Sequence, residues 1–183
     1  MFCSLNTNNV IQFQLKSGEV RTVFELNING VPITCLYDSG AAISTWVADK
    51  QLFRDVFPNA TELNTPCSLG GFGSKVSQQV PAFKVPKFRL GTVTFLNMVI
   101  LTDYDRKFSC DLVLGDNLFK YAKVTIDRLN FGNLNHPSTI TYQFGKNVYD
   151  IKTYQNNGVI TKSIILNQKL KHENAQAASI NVF

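Results

Sequence analysis

Long apolar runs are missing from this 183-residue chain. No stretch approaches the ~18 consecutive apolar residues that a membrane helix needs, and the opening MFCSLNTNNV has neither the charged n-region nor the apolar h-region of a secretory signal. A soluble, cytoplasmic protein with no membrane partner is the expectation. Cysteine is sparse and dispersed: Cys3, Cys35, Cys67 and Cys110 form no CxxC pair, and the two histidines, His136 and His172, lie far beyond them. That spacing speaks against a structural zinc site and against a Cys/His nucleophilic pair, and in a reducing compartment the cysteines read as thiols. Basic runs are absent too. The excess of 18 Lys+Arg over 13 Asp+Glu, a net charge of +5, is scattered, so no nucleic-acid partner is expected. No internal repeat of any period is found.

What is present is a chain with 44% hydrophobic residues, enough for one domain with a substantial core and too few residues for two full-sized ones. Short segments rich in Val, Ile, Phe and Thr recur between Gly, Asn and Pro, which predicts a mostly β fold. Residues 10–15 alternate as a strand. In VRTVFELNINGVPITCLYDSG, Asn29-Gly30 separates two β-rich segments and predicts a tight hairpin, because both residues tolerate the positive φ of a type I′ turn. Residues 46–57 carry apolar residues at helical spacing up to Pro58 and predict a short helix. A second hairpin is expected at 68–80, where Gly70, Gly71 and Gly73 surround Phe72, and two strands joined near Gly91 at 84–101. DLVLGDNLF, residues 111–119, reads as a strand, a glycine and a helical turn, with KVTID as the next strand. Near residue 133 the texture turns polar, with isolated β-like segments such as STITYQF and GVITKSIIL, so the domain is placed at 1–132 and a C-terminal extension at 133–183, partly β and expected to fray or be disordered at its end. Whether that extension adds strands, makes a dimer contact or is a tether cut by the protein itself stays open.

The chemistry-bearing stretch is CLYDSGAAIST, residues 35–45, an apolar strand ending in Asp38 with small residues behind it. By itself Asp-Ser-Gly is ordinary turn chemistry. Hydrolysis by carboxylates needs two of them close enough to share a proton, one activating a water and one polarising the carbonyl. The chain has no second Asp-Ser/Thr-Gly, so such a site would form on a two-fold axis, with one Asp38 from each of two identical subunits. Small residues behind the carboxylate would let the two loops approach closely. Asp111 and Asp116 are not followed by Ser/Thr-Gly and read as structural.

FELNINGVPITCLYDSGAAIST resembles the opening of the retropepsin-like aspartic proteases: strand, glycine turn, apolar strand, then D-[ST]-G-[AS] and a Ser or Thr three residues on. Asp38, Ser39, Gly40, Ala41 and Ser44 fill those positions. SLGGFGSKV is similar to the family's glycine-rich flap, with Gly70, Gly71, Phe72 and Gly73, and DLVLGDNLF to its second signature, with Val113, Leu114, Gly115 and Asn117. The resemblance runs from residue 23 to 127. It implies a closed, antiparallel β-barrel with a short helix after the second signature, working as a homodimeric aspartic endopeptidase on an extended peptide or polyprotein, with autoprocessing and without cofactor or metal. Asp38 would be catalytic, Ser39, Gly40, Ala41 and Ser44 would support its loop, and the flap residues would cover substrate. Two departures stand out. Ala42 occupies a position where many viral members carry a second aspartate that contacts substrate, and Ser39 replaces the commoner threonine. A non-proteolytic dimerisation or peptide-binding module with the same fold is the alternative, since fold alone does not establish function.

Overall fold

A computed structural model describes residues 9–17, 20–71, 74–105, 108–128 and 138–151. The strands are β1 (Val10–Gln14), β2 (Val23–Ile28), β3 (Val31–Tyr37), β4 (Thr45–Trp46), β5 (Thr61–Glu62), β6 (Cys67–Gly71), β7 (Ser74–Val80), β8 (Ala82–Leu90), β9 (Val93–Thr102), β10 (Leu112–Leu114), β11 (Ala122–Asp127), β12 (Thr139–Phe144) and β13 (Val148–Asp150). Two short helices, α1 (Lys50–Val56) and α2 (Asp116–Phe119), complete the described elements. The fold is mostly β, as the composition predicts. Among the described residues no helix is long and apolar enough to cross a membrane.

β2 and β3 form the predicted hairpin. Asn29 (φ 54°) and Gly30 (φ 86°) both adopt the left-handed conformation that a type I′ turn demands. Asn29 Nδ2 donates to the Val56 carbonyl at 2.8 Å, tying the turn to the end of α1. The helix is shorter than the apolar spacing suggests, for a local reason. Thr45 and Trp46 are claimed by the sheet as β4, and α1 starts only after Asp49, whose Oδ1 accepts from the Gln51 and Leu52 N–H groups at 2.6 and 3.1 Å. The chain leaves the helix at Phe57, before Pro58.

A closed antiparallel barrel is not what these strands make. Among the described residues they form three sheets, none closing on itself: β1-β12-β11, β2-β3-β10-β4-β9-β8-β5 with β13 alongside β9, and the β6-β7 hairpin. β3–β10, β4–β9 and β9–β13 pair parallel. The cause is the insertion of β10 between β3 and β4. The strands before and after the Asp38 loop are held apart by a third, which runs parallel to β3 (Leu112↔Cys35, Leu114↔Tyr37) and antiparallel to β4 (Leu112↔Trp46). Consecutive strands therefore do not pair across the loop, and no simple meander can close.

Residues 139–151 of the polar C-terminal stretch add two strands to the body of the fold. β12 lies between β1 and β11, with Val124 opposite Tyr142, and β13 pairs with β9. The main core is rich in aromatic rings, including Phe24, Trp46, Phe88, Phe95 and Tyr142, all fully buried; each such ring contributes roughly 1.5–3 kcal/mol by leaving water. Cys35 and Cys67 are buried free thiols, and Cys110 is buried as well. His136, His172, Cys3 and the predicted strand GVITKSIIL lie outside the described residues.

Candidate active site

Asp38 follows the last residue of β3, where the backbone turns away from the sheet. Its N–H donates to the Leu114 carbonyl at 3.1 Å, which extends the β3–β10 pairing one step beyond the strands and fixes where the carboxylate leaves the sheet. Oδ1 then accepts from the Gly40 N–H at 2.8 Å, and the Asp38 carbonyl accepts from the Ala41 N–H at 3.2 Å. The carboxylate is half-buried, and among the described residues no cation pairs with it. Ser39 and Gly40 are exposed at the turn. A Cβ at Gly40 would sit 3.1 Å from Asp38 Oδ1, so glycine leaves the carboxylate room to hold its position.

The far side of the loop is clamped by the second signature. Ser44, fully buried, gives both its N–H and its hydroxyl to Asn117 Oδ1, at 2.9 and 2.8 Å, and its Oγ accepts from the Gly115 N–H at 3.0 Å. Asn117 Nδ2 donates to the Val99 carbonyl at 2.8 Å. The loop carbonyls of Ala41 and Ala42 accept from the Asp116 and Asn117 N–H groups at 2.7 and 3.1 Å, satisfying the start of α2. Gly115 is required by the approach itself: a Cβ there would lie 2.6 Å from the Ala41 oxygen and 2.9 Å from the Ile43 carbonyl carbon. Two loops separated by some seventy residues of sequence are thus locked together by backbone contact and by two side-chain groups, the Ser44 hydroxyl and Asn117 Oδ1.

Val113 and Leu114 point to opposite sides of β10. Leu114 packs in the main core, whereas Val113 joins Val23, Leu36, Val47 and Cys110 in a smaller cluster against which Ala41 rests. Asp111 serves the fold, because its Oδ2 accepts from the Thr34 N–H at 2.7 Å.

The glycine-rich hairpin is present as β6 and β7, paired from Cys67↔Val80 to Gly71↔Ser74 with a register irregularity between Leu69 and Gly71. Gly70 is exposed; Phe72 and Gly73 lie outside the described residues. The stem of the hairpin is anchored near the loop. Cys67, Leu69 and Val80 are buried with Val99 and Leu101 of β9, and Ile43 of the Asp38 loop packs against the same cluster. β9 is therefore the common support for loop, second signature and hairpin, since the Leu101 N–H also donates to the Ser44 carbonyl at 3.0 Å. Sequence reasoning does not single out Val99, Leu101 or Ile43. The signal available is only the apolar run FLNMVIL, which any core strand would carry.

Behind Asp38, Tyr37 packs edge-on to Phe119 (centroids 4.6 Å), which stacks on Tyr142 (4.9 Å). Burial pushes the Tyr37 phenol above its ordinary range, and the Asp116 and Asp38 carboxylates add to that. Tyr142 is raised further, again by burial first. Among the described residues no group of three His, Cys, Asp or Glu side chains is arranged to hold a metal ion.

No protein-family model matches the chain, and none of the curated proteins does. Among solved structures the chain is similar to a retropepsin-like aspartic protease from Rickettsia conorii, at 14% identity, over 74% of this chain and 89% of that one, with a TM-score of 0.45. A likeness that distant carries neither the fold nor the chemistry.

Proposed function

We propose that the protein is an aspartic endopeptidase whose catalytic pair consists of two Asp38 carboxylates, one from each of two copies of the chain. The observation that carries this reading is the cradle around Asp38. Asp38, half-buried and with no cation paired to it among the described residues, is oriented by the Gly40 N–H, while Ser44, Gly115 and Asn117 hold the loop behind it. Asp111 accepts from a strand, at the Thr34 N–H, whereas Asp38 accepts from within its own loop, at the Gly40 N–H.

Two such carboxylates meeting at a two-fold axis share one proton. The ionised one takes a proton from a water as that water attacks the peptide carbonyl carbon. The protonated one donates to the carbonyl oxygen, giving a neutral tetrahedral diol. Collapse breaks the C–N bond as the leaving nitrogen takes up the proton of the protonated carboxyl group, while one diol hydroxyl returns its proton to the ionised one, so the carbonyl re-forms as a carboxylic acid and the pair again holds one proton. The substrate is an extended peptide, bound by main-chain hydrogen bonds beneath the β6–β7 hairpin with alternate side chains in apolar pockets.

The test is cleavage of a peptide library by the wild type and by Asp38→Asn. The amide can still accept from the Gly40 N–H, so the fold should persist while turnover falls by a factor on the order of 10³ or more, the scale of a lost general base. Asp111→Asn should stay within about fivefold of wild type, because an amide oxygen can still take the Thr34 N–H. Equal cleavage by wild type and Asp38→Asn would overturn the assignment.

A further inference from the structure

The sheet that carries the Asp38 loop leaves a seam. Its order ends in β2 on one side and in β8-β5 on the other. β5 is only two residues long and pairs with Lys84 and Phe83, so from Val85 onward β8 has β9 as its only ladder partner among the described strands. There β2 and β8 approach each other without pairing, and the gap between them is a cavity of about 560 Å³. Small-molecule sites occupy about 300–1,000 Å³. Every residue that lines this one is among those described. The cavity lies at the Asn29 end of β3, whose seven residues put it roughly 20 Å or more from Asp38 at the other end.

Its walls and its mouth differ in chemistry. Leu26 and Ile28 of β2, Phe57 at the end of α1 and Val85 of β8 are buried members of the main core that also line this space, with Phe13 of β1 beside them. At the mouth Lys87 and Arg89 are exposed, on the same face of β8 and roughly 7 Å apart along the strand. Neither is paired with a carboxylate among the described residues, and no Asp or Glu lines the cavity. Two of the nearby amides are already engaged: Asn27 Oδ1 accepts from the Gly30 N–H at 2.9 Å, and Asn29 Nδ2 donates to the Val56 carbonyl. An apolar floor therefore lies beneath two cations that have nothing of opposite sign to meet.

We propose that this cavity binds a small amphipathic anion, an aliphatic chain or ring system bearing one terminal carboxylate or phosphate group. The apolar body takes the place of water against Leu26, Ile28, Phe57 and Val85. The head group meets Arg89, whose planar guanidinium can give two parallel N–H bonds to either kind of anion, and Lys87, which adds a point charge. A cationic ligand would face two like charges, and a neutral one would leave both cations as they are. The site stands apart from the proposed peptidase chemistry and does not depend on it.

Decanoate, kept below its micelle concentration, is the probe. It is titrated into the full chain by calorimetry and followed by the fluorescence of the single tryptophan, Trp46, whose ring lies 5.8 Å, centroid to centroid, from that of Phe57 in the cavity wall. Saturable binding at one site per chain is expected. Affinity should fall on the order of tenfold or more for 1-decanol, and equally for decanoate with the double variant Lys87→Gln, Arg89→Gln, the scale of lost hydrogen bonds to a charged group. Both positions are exposed, so the urea midpoint should not move. Lys123→Gln with Lys146→Gln removes the same charge from other exposed positions and should bind decanoate like wild type. Decyl phosphate separates the two head groups, the tighter binder naming the one the site is built for. Asp38→Asn should also bind decanoate like wild type, whatever becomes of its peptidase activity. A wild type that shows no saturable binding, as when another part of the chain fills the cavity, would overturn the site. So would equal affinity for 1-decanol, equal affinity in the Lys87 and Arg89 double variant, or loss of binding in Asp38→Asn.

Discussion

Ser44 and Asn117 are joined twice: the backbone N–H and the hydroxyl of Ser44 both donate to a single oxygen, Oδ1 of Asn117. Each partner then passes the connection on, Ser44 by accepting from the Gly115 N–H and Asn117 by donating to the Val99 carbonyl. Removing either side chain strands groups that water cannot reach. Ser44→Ala leaves the Gly115 N–H without its acceptor and should cost about 1–3 kcal/mol. Asn117→Leu deprives Ser44 and Val99 together and should cost more. Urea unfolding monitored by tryptophan fluorescence would measure both, Trp46 being the only tryptophan and fully buried.

The two glycines of the site should separate stability from activity. Gly115→Ala drives a Cβ into the Ala41 and Ile43 backbone at 2.6 and 2.9 Å, where nothing flexible can yield. A loss of about 1–3 kcal/mol is expected, as for other overpacked positions. At Gly40 the new Cβ meets only the Asp38 carboxylate at 3.1 Å. Gly40→Ala should therefore unfold near the wild-type midpoint yet cleave poorly, since what moves is the reacting group. Measuring denaturation and turnover on both variants checks the split.

Local chemistry makes much of this legible in the sequence. Asn29-Gly30 dictates its own turn, Asp38-Ser39-Gly40-Ala41 its own loop, and Val113 to Asn117 a strand that stops at a glycine and enters a helical turn. Each is decided by residues within a few positions of one another. The insertion of β10 between β3 and β4 is decided instead by which distant strand completes the ladder, and no short-range pattern records that. The true start of α1 is hidden for the same reason, because Thr45 and Trp46 have β10 and β9 as partners. STITYQF is legible as β-like by its alternation, with Ile140, Tyr142 and Phe144 buried, but its polar flank gives no sign that the strand lies between β1 and β11. The support of Asn117 by Val99 is illegible in kind, since a backbone carbonyl leaves no trace in a sequence.

On the proposed shared site, an inactive chain becomes an inhibitor. Asp38→Asn keeps every surface of the wild type, so it should pair with wild-type chains and leave each mixed dimer one carboxylate. With a ninefold excess of the variant and random pairing, activity per wild-type chain should fall to about a tenth, and wild-type specific activity alone should fall on dilution below the dimer dissociation constant. Titrating the variant into a fluorogenic peptide assay at fixed wild-type concentration reads this out. Activity strictly proportional to wild-type chains, whatever the excess, would show that one chain suffices.

The last prediction concerns Tyr142 of β12, whose hydroxyl is fully buried without a hydrogen-bond partner among the described residues. An unsatisfied buried hydroxyl has lost its water and gained nothing, so Tyr142→Phe, which keeps the ring stacked on Phe119, should stabilise the fold by about 1 kcal/mol at neutral pH. The gap should then widen with alkalinity. Burial first, with the neighbouring Cys35 and Tyr37 adding to it, raises the Tyr142 phenol in the folded chain far above its unfolded value of about 10. A group raised on folding contributes its full stability below the unfolded value and loses it as pH climbs above, because the unfolded phenol ionises while the folded one stays protonated. Above pH about 10 the wild type should therefore lose an extra ~1.4 kcal/mol per pH unit that Tyr142→Phe does not lose. Tyr37, and Cys35 from a lower pH, are also raised by burial and stay in both proteins, so a residual alkaline decline remains in the variant. Urea midpoints from pH 7 to 11 would trace the two curves, and parallel curves throughout would show that the Tyr142 hydroxyl is solvated in solution.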